Sequence, residues 1–326
     1  MSTMQMNQQL AIGIDIGGTN TVFGIVDARG DILYRGAIST KQNETVEKYI
    51  DALYHAILPA IEKVGGKDRI KGIGVGAPNG NYYKGTIEYA PNLEWKGIIP
   101  MAELVAARFG VPAALTNDAN AAAVGEMMYG AAKGMKDFIM ITLGTGVGSG
   151  IVANGQLIYG HDGFAGELGH TIIIPGGRLH WGTGSKGSLE AYTSATGVVL
   201  TAKEFLAAKP EQPSLLRKII AKKLDSKAIY EAALKKDKLA MEVYNYTGEI
   251  LGRALANSVM FSSPEAIILF GGLTKAGELL ITPTRKSMEE HLLPIFRNKV
   301  KLIFSQLNES DAAVLGASAL VWELKG

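Results

Sequence analysis

The stretch Ala11-Ile12-Gly13-Ile14-Asp15-Ile16-Gly17-Gly18-Thr19-Asn20 decides how the rest of the chain is read. An apolar run ends in an acidic residue, two glycines and a hydroxyl residue. This predicts a buried strand entering a tight turn, with a carboxylate at its mouth. The glycines tolerate φ > 0 and let a ligand approach the backbone closely. Exposed N–H groups in such a turn suit a phosphate, and Asp15 beside them suits Mg2+ held on that phosphate. The next run, Thr21 to Val26, alternates and ends at Asp27-Ala28-Arg29-Gly30-Asp31. It predicts the hairpin partner, with Ile32 to Gly36 as a third strand. Strand–turn–strand is not the strand–turn–helix of a P-loop or a dinucleotide-binding unit. Taken alone, the motif is equally an ordinary glycine hairpin capped by an acidic residue.

Two more glycine turns carry the reading further. The apolar run Asp137 to Leu143 ends in Gly144-Thr145-Gly146-Val147-Gly148-Ser149-Gly150, and Ile151-Val152-Ala153 leads on to an Asn154-Gly155 hairpin signal. The run Ala266 to Phe270 ends in Gly271-Gly272, with a helix expected from Leu273. Three glycine turns, each closing an apolar strand, predict a nucleotide cleft.

A chain of 326 residues is long enough for two domains, each with its own core. The net charge of +2 gives no electrostatic case for nucleic acid or an anionic membrane. Lysine pairs such as Lys222-Lys223 and Lys235-Lys236 read as solvated helix faces. The absence of cysteine excludes disulfides, thiolate catalysis and cysteine zinc sites, and fits a reducing, cytoplasmic setting. No apolar stretch reaches the roughly 18 residues of a membrane span. The stretch Met1 to Gln9 is polar, without a signal core, and too short for a DNA-binding module.

Strand and helix patterns alternate along the chain. Helices are expected at Thr45–Val64, Met101–Phe109, Ala119–Ala132, Leu189–Leu206, Pro213–Leu224, Ser226–Lys235, Lys238–Phe261, Leu273–Leu292 and Asp311–Leu324. Strands are expected at Ile70–Val75, Pro112–Thr116, Ala266–Phe270 and Val300–Phe304. This is an α/β class with mixed sheets flanked by helices. Each half carries a glycine hairpin followed by helix and strand pairs, which suggests a two-fold repeat with ligands bound between lobes. The boundary is expected near 116–119, dividing the chain into a lobe of 1–118 with 311–326 and a lobe of 119–310.

Candidate chemistry lies at three places. Asn117-Asp118 closes the strand Pro112–Thr116 and opens an alanine-rich helix. Asp118 reads as a helix N-cap or as a general base at the carboxyl end of a strand. Glu167 and His170 stand three apart in a glycine-flanked loop before an expected strand Thr171–Ile174. Glu190 opens a helix after Gly182, Gly184 and Gly187, where it would also favour the helix dipole. Asn92 follows Pro91 in a loop, where it could equally make an Asx-turn. Carboxylates, amides and an imidazole together suit a polyhydroxylated ligand.

The set Asp15-x-Gly-Gly-Thr19, Gly76-x-Pro78, Ala90-Pro91-Asn92-Leu93, Asn117-Asp118-Ala-Asn120-Ala, Leu143-Gly-Thr-Gly-x-Gly148, Gly166-Glu167-x-Gly169-His170 and Gly271-Gly272 resembles the ROK (repressor, ORF, kinase) sugar kinases, from about Leu10 to Leu320. That resemblance implies a two-lobed actin/hexokinase/Hsp70-like (ribonuclease H-like) fold with a cleft between the lobes. It implies ATP-dependent phosphorylation of the 6-hydroxyl of a hexose, most readily glucose. Asp118 would be the catalytic base. Asn92, Asn117, Asp118, Glu167, His170 and Glu190 would bind sugar. Asp15 would serve Mg2+, while Gly17, Gly18, Thr19, Asn20, Gly144, Thr145, Gly146, Gly148, Gly271 and Gly272 would serve ATP. Homodimers are usual in such families.

Two departures stand out. The family carries Cys-x-Cys-Gly-x-x-Gly-Cys-x-Glu after the histidine, where three thiolates and that histidine hold structural zinc. Counting back from Glu190, those positions hold Trp181, Thr183 and Ser188. No structural zinc is therefore expected, since His161, His170 and His180 substitute poorly for thiolates. Something else must order loop 176–190, and Trp181 is the candidate anchor, unless the loop orders only on sugar. Asn79 also interrupts the family's Gly-x-Pro-Gly. Alternatives to a glucokinase are an N-acetylglucosamine or N-acetylmannosamine kinase, a sugar-responsive regulator, which the lack of a DNA-binding module disfavours, and an inactive sugar sensor.

Overall fold

The computed structural model describes residues 9–219 and 224–323. Most of the polar leader, the Lys222-Lys223 pair and the last three residues of the 311–326 segment lie outside the described residues.

The opening apolar run forms β1 (Leu10–Ile16), and the Gly17-Gly18 turn leads into antiparallel β2 (Asn20–Asp27) and then β3 (Ile32–Ser39). α1 (Val46–Lys63) starts at Thr45, whose hydroxyl accepts the Lys48 N–H, and places Tyr49, Leu53 and Ile57 in the core. It returns the chain to β4 (Ile70–Gly76), parallel to β1. A small antiparallel sheet follows, made of β5 (Gly80–Asn81), β6 (Thr86–Glu88) and β7 (Ile98–Ile99). α2 (Met101–Phe109) ends on Gly110 in the left-handed region and leads to β8 (Ala113–Thr116), parallel to β4. α3 (Asp118–Tyr129) completes this stretch. The sheet order is β3-β2-β1-β4-β8.

The same order recurs. β9 (Phe138–Leu143), β10 (Val147–Ala153) and β11 (Gln156–Leu157) are followed by α4 (Glu190–Thr193), α5 (Ala195–Ala208), α6 (Ser226–Leu234) and α7 (Lys238–Ser262). β12 (Ala266–Phe270), α8 (Glu278–His291), β13 (Lys301–Phe304) and α9 (Glu309–Glu323) complete the chain. The second sheet runs β11-β10-β9-β12-β13, with β12 parallel to both β9 and β13. Asn154 and Gly155, both at positive φ, make the two-residue turn between β10 and β11.

Some elements differ from their expected form. The expected helix Leu189–Leu206 breaks at Ser194, whose hydroxyl caps α5 by accepting the Gly197 N–H. The expected helix from Leu273 begins as a 3-10 turn, Gly272–Ala276, and only after Gly277 becomes α-helical. The described part of Pro213–Leu224 is a 3-10 turn at Leu215–Lys218. Thr171–Ile174 forms no strand, only a bridge from Ile172 to Ser188.

The chain divides into two compact units. One holds residues up to Lys136, Gly150–Gly166 and everything from Gln306 onward; the other holds Asp137–Ser149 and Glu167–Ser305. The division expected at 118 therefore shifts, because α3 stays with the first unit. Its Gly125 lies against Gly316 of α9, so close that an added Cβ would meet the Gly316 Cα at 2.8 Å. The opposite side of α9 rests on bare strand backbone. A Cβ on Gly13 would stand 2.1 Å from the Val314 carbonyl oxygen, and one on Gly74 would stand 1.8 Å from that of Ala317.

Gly74→Ala should thus lower the unfolding free energy by at least the ~1–3 kcal/mol typical of overpacking, because the obstacle is helix backbone and not a side chain that can rotate away. Urea titration of the purified variant measures this; a loss under about 0.5 kcal/mol would show that α9 shifts freely on the sheet.

Candidate active site

In the first unit, strand register lines up Asp15 of β1, Gly76 of β4 and Thr116 of β8 at the carboxyl ends of three parallel strands. Chains leaving such strand ends commonly carry ligand-binding groups. The chain leaves β8 through Asn117, and Asn117 is the N-cap of α3: its side-chain oxygen accepts the Asn120 N–H at 2.7 Å. The capping role thus belongs to Asn117, and Asp118 stands at the first helical position, accepting the Ala119 N–H at 2.9 Å. With its oxygen engaged, Asn117 keeps its amide N–H groups to donate to a hydroxyl.

Gly76 separates the two acids. A Cβ there would lie 3.5 Å from Asp15 Oδ1 and 4.0 Å from the Asp118 Cα. Burial, and next the negative charge of Asp118, push the Asp15 carboxyl up to about 7. Asp118 keeps contact with solvent on one side, but the protein packed around it strips much of its hydration and raises its carboxyl above the ordinary range, against the Ala119 N–H, which lowers it. Two hard carboxylates, short of compensating charge, fit a divalent cation such as Mg2+.

The Gly17-Gly18 turn works by proximity. Neither glycine adopts positive φ. Instead a Cβ on Gly18 would meet the Asn92 carbonyl oxygen at 2.7 Å, and one on Gly17 the Asn20 carbonyl oxygen at 2.8 Å. Asn92, Thr19 and Asn20 are exposed around this turn. Asn79 sits at φ 51° as the third residue of a turn closed by the Gly80 N–H on the Ala77 carbonyl, with Pro78 second. Its side chain donates to the Glu88 carbonyl at 3.0 Å, so the departure at this position braces β6.

In the second unit, the turn from Gly144 to Gly148 is built differently at each glycine. A Cβ on Gly144 would meet no protein atom within 4 Å, which leaves open space for a ligand. A Cβ on Gly146 would strike Glu190 Oε2 at 2.5 Å. That oxygen accepts the Val147 N–H at 2.7 Å, and the Gly148 N–H donates to Thr142 Oγ1 at 3.1 Å. Thr145 is exposed. Glu167 and His170 are also exposed, with His170 Nε2 3.7 Å from Glu167 Oε2. Their turn seats on the same strand, where a Cβ on Gly169 would meet the Val147 carbonyl oxygen at 2.1 Å. Gly271, at φ 103°, packs on Leu143, and the exposed Gly272 opens the 3-10 turn that follows.

Loop 176–190 folds as a small hairpin, with the His180 N–H on the Ser185 carbonyl and the Gly187 N–H on the Arg178 carbonyl. Trp181 is 48% exposed and is not its anchor. The buried side chain is the neighbouring His180, 3% exposed, against which Trp181 stacks at 4.3 Å. Arg178 secures the base of the loop through Glu204, Thr201 Oγ1 and the Ala191 and Gly197 carbonyls. Spacing alone did not reveal His180 or Arg178, because their partners meet them only once this hairpin forms. Structural zinc does not fit here. Thiolates are lacking, and both nitrogens of His180 are already engaged, by Glu190 on one side and by Gly182 and Thr183 on the other. Among the described residues no group of three or more His, Asp or Glu side chains is placed to hold a metal ion, and no helix is long and apolar enough to cross a membrane.

Three outcomes follow. A carboxyl raised from its usual value favours the folded state below the unfolded value and loses that contribution as pH rises through about 7. Asp15→Asn should therefore raise Tm at pH 8 more than at pH 5, as read by differential scanning calorimetry, while lowering activity. Ser188 Oγ is buried with no hydrogen-bond partner among the described residues, so Ser188→Ala should match or exceed the wild-type Tm. Gly144→Ala should leave Tm unchanged while raising the KM for nucleotide several-fold.

A family model described as the ROK family matches residues 11–323. Glucokinase of Streptomyces coelicolor is 37% identical over 96% of this chain and 98% of its own length, and glucokinase of Thermotoga maritima is 33% identical over 97% and 98%. The crystal structure of a ROK family glucokinase from Streptomyces griseus, in complex with glucose and AMPPNP, superposes with a TM-score of 0.79 at 36% identity, covering 97% of this chain and all of that one. The repeated sheet order, the paired acids and this near-complete match place the chain in the ROK family.

Proposed function

We propose that the chain is an ATP-dependent glucokinase, transferring the γ-phosphoryl group of ATP to the 6-hydroxyl of glucose. One observation carries the reading. Asp118 is relieved of helix capping by Asn117, and its carboxyl is raised toward the working pH, which is where a general base is most effective. The relatives at 33–37% identity and nearly full length are glucokinases, which supplies the choice of glucose.

Asn92, Asn117, Glu167, His170 and Glu190 bind the sugar hydroxyls, with the carboxylates accepting and the amides donating. Asp118 takes the hydroxyl proton as the sugar oxygen bonds to the γ-phosphorus, and the bond to the β-phosphate oxygen breaks to release ADP. Thr19, Asn20 and the glycine turns at 17–18, 144–148 and 271–272 hold the nucleotide, with the bare glycines letting it approach the backbone. Asp15 would hold Mg2+, which would neutralise phosphate charge. Positioning and charge neutralisation supply most of the rate in phosphoryl transfer. The reading includes a cytoplasmic homodimer without structural zinc, and without nucleic-acid or membrane partners.

A coupled ADP-release assay across glucose, mannose, N-acetylglucosamine, N-acetylmannosamine, fructose and allose should give the highest kcat/KM with glucose; an N-acetylhexosamine on top would transfer the activity to that class. Asp118→Asn should cost ~10²–10⁴ in kcat, with glucose binding changed less. Turnover within about threefold of wild type would remove Asp118 as the base.

A further inference from the structure

We propose that His180 is a positioning residue for the sugar, aiming Glu190 through its buried imidazole. This rests on the reading of Glu190 as a sugar ligand. His180 Nδ1 faces three donors: the Gly182 N–H at 3.2 Å, the Thr183 N–H at 3.0 Å and the Thr183 hydroxyl at 3.0 Å. Backbone N–H groups only donate, so Nδ1 is the bare, accepting nitrogen and the ring proton sits on Nε2. Nε2 then donates to Glu190 Oε1 at 2.6 Å. The carboxylate is gripped from both sides, since its other oxygen accepts the Val147 N–H.

Two of the three positions expected to carry thiolates now serve the imidazole. Thr183 supplies donors to Nδ1, and Trp181 stacks on the ring face. His170 contacts the ring edge-on, with centroids 5.6 Å apart, so the same buried ring touches a second candidate sugar ligand. His180 belongs to none of the motifs that carry the family resemblance.

The two nitrogens have separable tasks, and amide side chains mimic them one at a time. Asn places an acceptor near Nδ1 but has nothing at Nε2. Gln reaches the Nε2 position with an N–H donor but leaves the Gly182 and Thr183 N–H groups unmet. The test measures KM for glucose, KM for ATP, kcat and Tm for His180→Ala, His180→Asn, His180→Gln and Glu190→Gln. His180→Ala and His180→Asn should raise KM for glucose at least tenfold, with KM for ATP within about threefold of wild type. His180→Gln should return KM for glucose to within about threefold, even if its Tm falls below that of His180→Asn. A purely structural role reverses the pattern: Asn restores KM along with Tm, Gln restores neither, and the inference fails. It also fails if Glu190→Gln raises KM for glucose while His180→Ala does not, which leaves Glu190 as a sugar ligand. If Glu190→Gln leaves KM for glucose unchanged, the sugar reading of Glu190 falls and takes this inference with it. Should His180→Ala not fold, the Asn and Gln pair decides alone.

Discussion

The first unit depends on a contact between backbones. α9 lies directly on β1 and β4 because Gly13 and Gly74 present no side chain to it, and its own Gly316 lets α3 close on the other side. Close approach of this kind is short-range and unforgiving, since the obstacle to any added methyl is a carbonyl that is itself part of a helix. The payoff is positional. β1 ends at Asp15, β4 at Gly76, and α3 begins at Asp118. Fixing β1, β4 and α3 to one helix fixes the two carboxylates relative to each other. Their mutual repulsion and partial burial are then sustained by packing several residues away.

The second unit organises its groups around a single residue in place of a helix. Val147 presents its N–H to Glu190 and its carbonyl to the turn that carries Glu167 and His170. The start of β10 is therefore the common floor for the glycine turn and for three candidate sugar ligands. The glycines of this turn answer to different demands. Gly146 is bare because a carboxylate occupies the space, whereas Gly144 faces open space. A single sequence motif thus contains one glycine required by the protein and one available to a ligand.

Much of this was legible in the sequence. Strand–turn–strand at Asp15 followed from alternation after the glycines, and the helix expected at Met101–Phe109 forms over those residues, ending on Gly110. Asn154-Gly155 specified its hairpin through the positive φ that both residues tolerate. Other features depended on tertiary contacts. Whether Asn117 or Asp118 caps α3 is a matter of which side chain reaches the Asn120 N–H, and adjacent acceptors look alike in a sequence. Thr171–Ile174 has the composition of a strand but meets only the short stretch Gly187–Leu189, enough for a single bridge and no ladder. Trp181 drew attention by its size, yet a large ring beside a glycine-rich hairpin can lie outside as readily as inside. The small polar ring at His180, with donors waiting at one nitrogen and an acceptor at the other, fits the interior better.

The absence of cysteine from the loop also changes what the chain is vulnerable to. A thiolate-held loop ties its shape to the supply of a trace metal and to the redox state of its surroundings, since oxidation of one ligand releases the ion. Between Thr171 and Glu190 there is neither cysteine nor methionine. The shape of the loop is written in imidazole, hydroxyl and backbone groups that neither peroxide nor metal starvation at ordinary strength removes. What the loop gives up in bond strength it recovers as indifference to the chemistry of its environment.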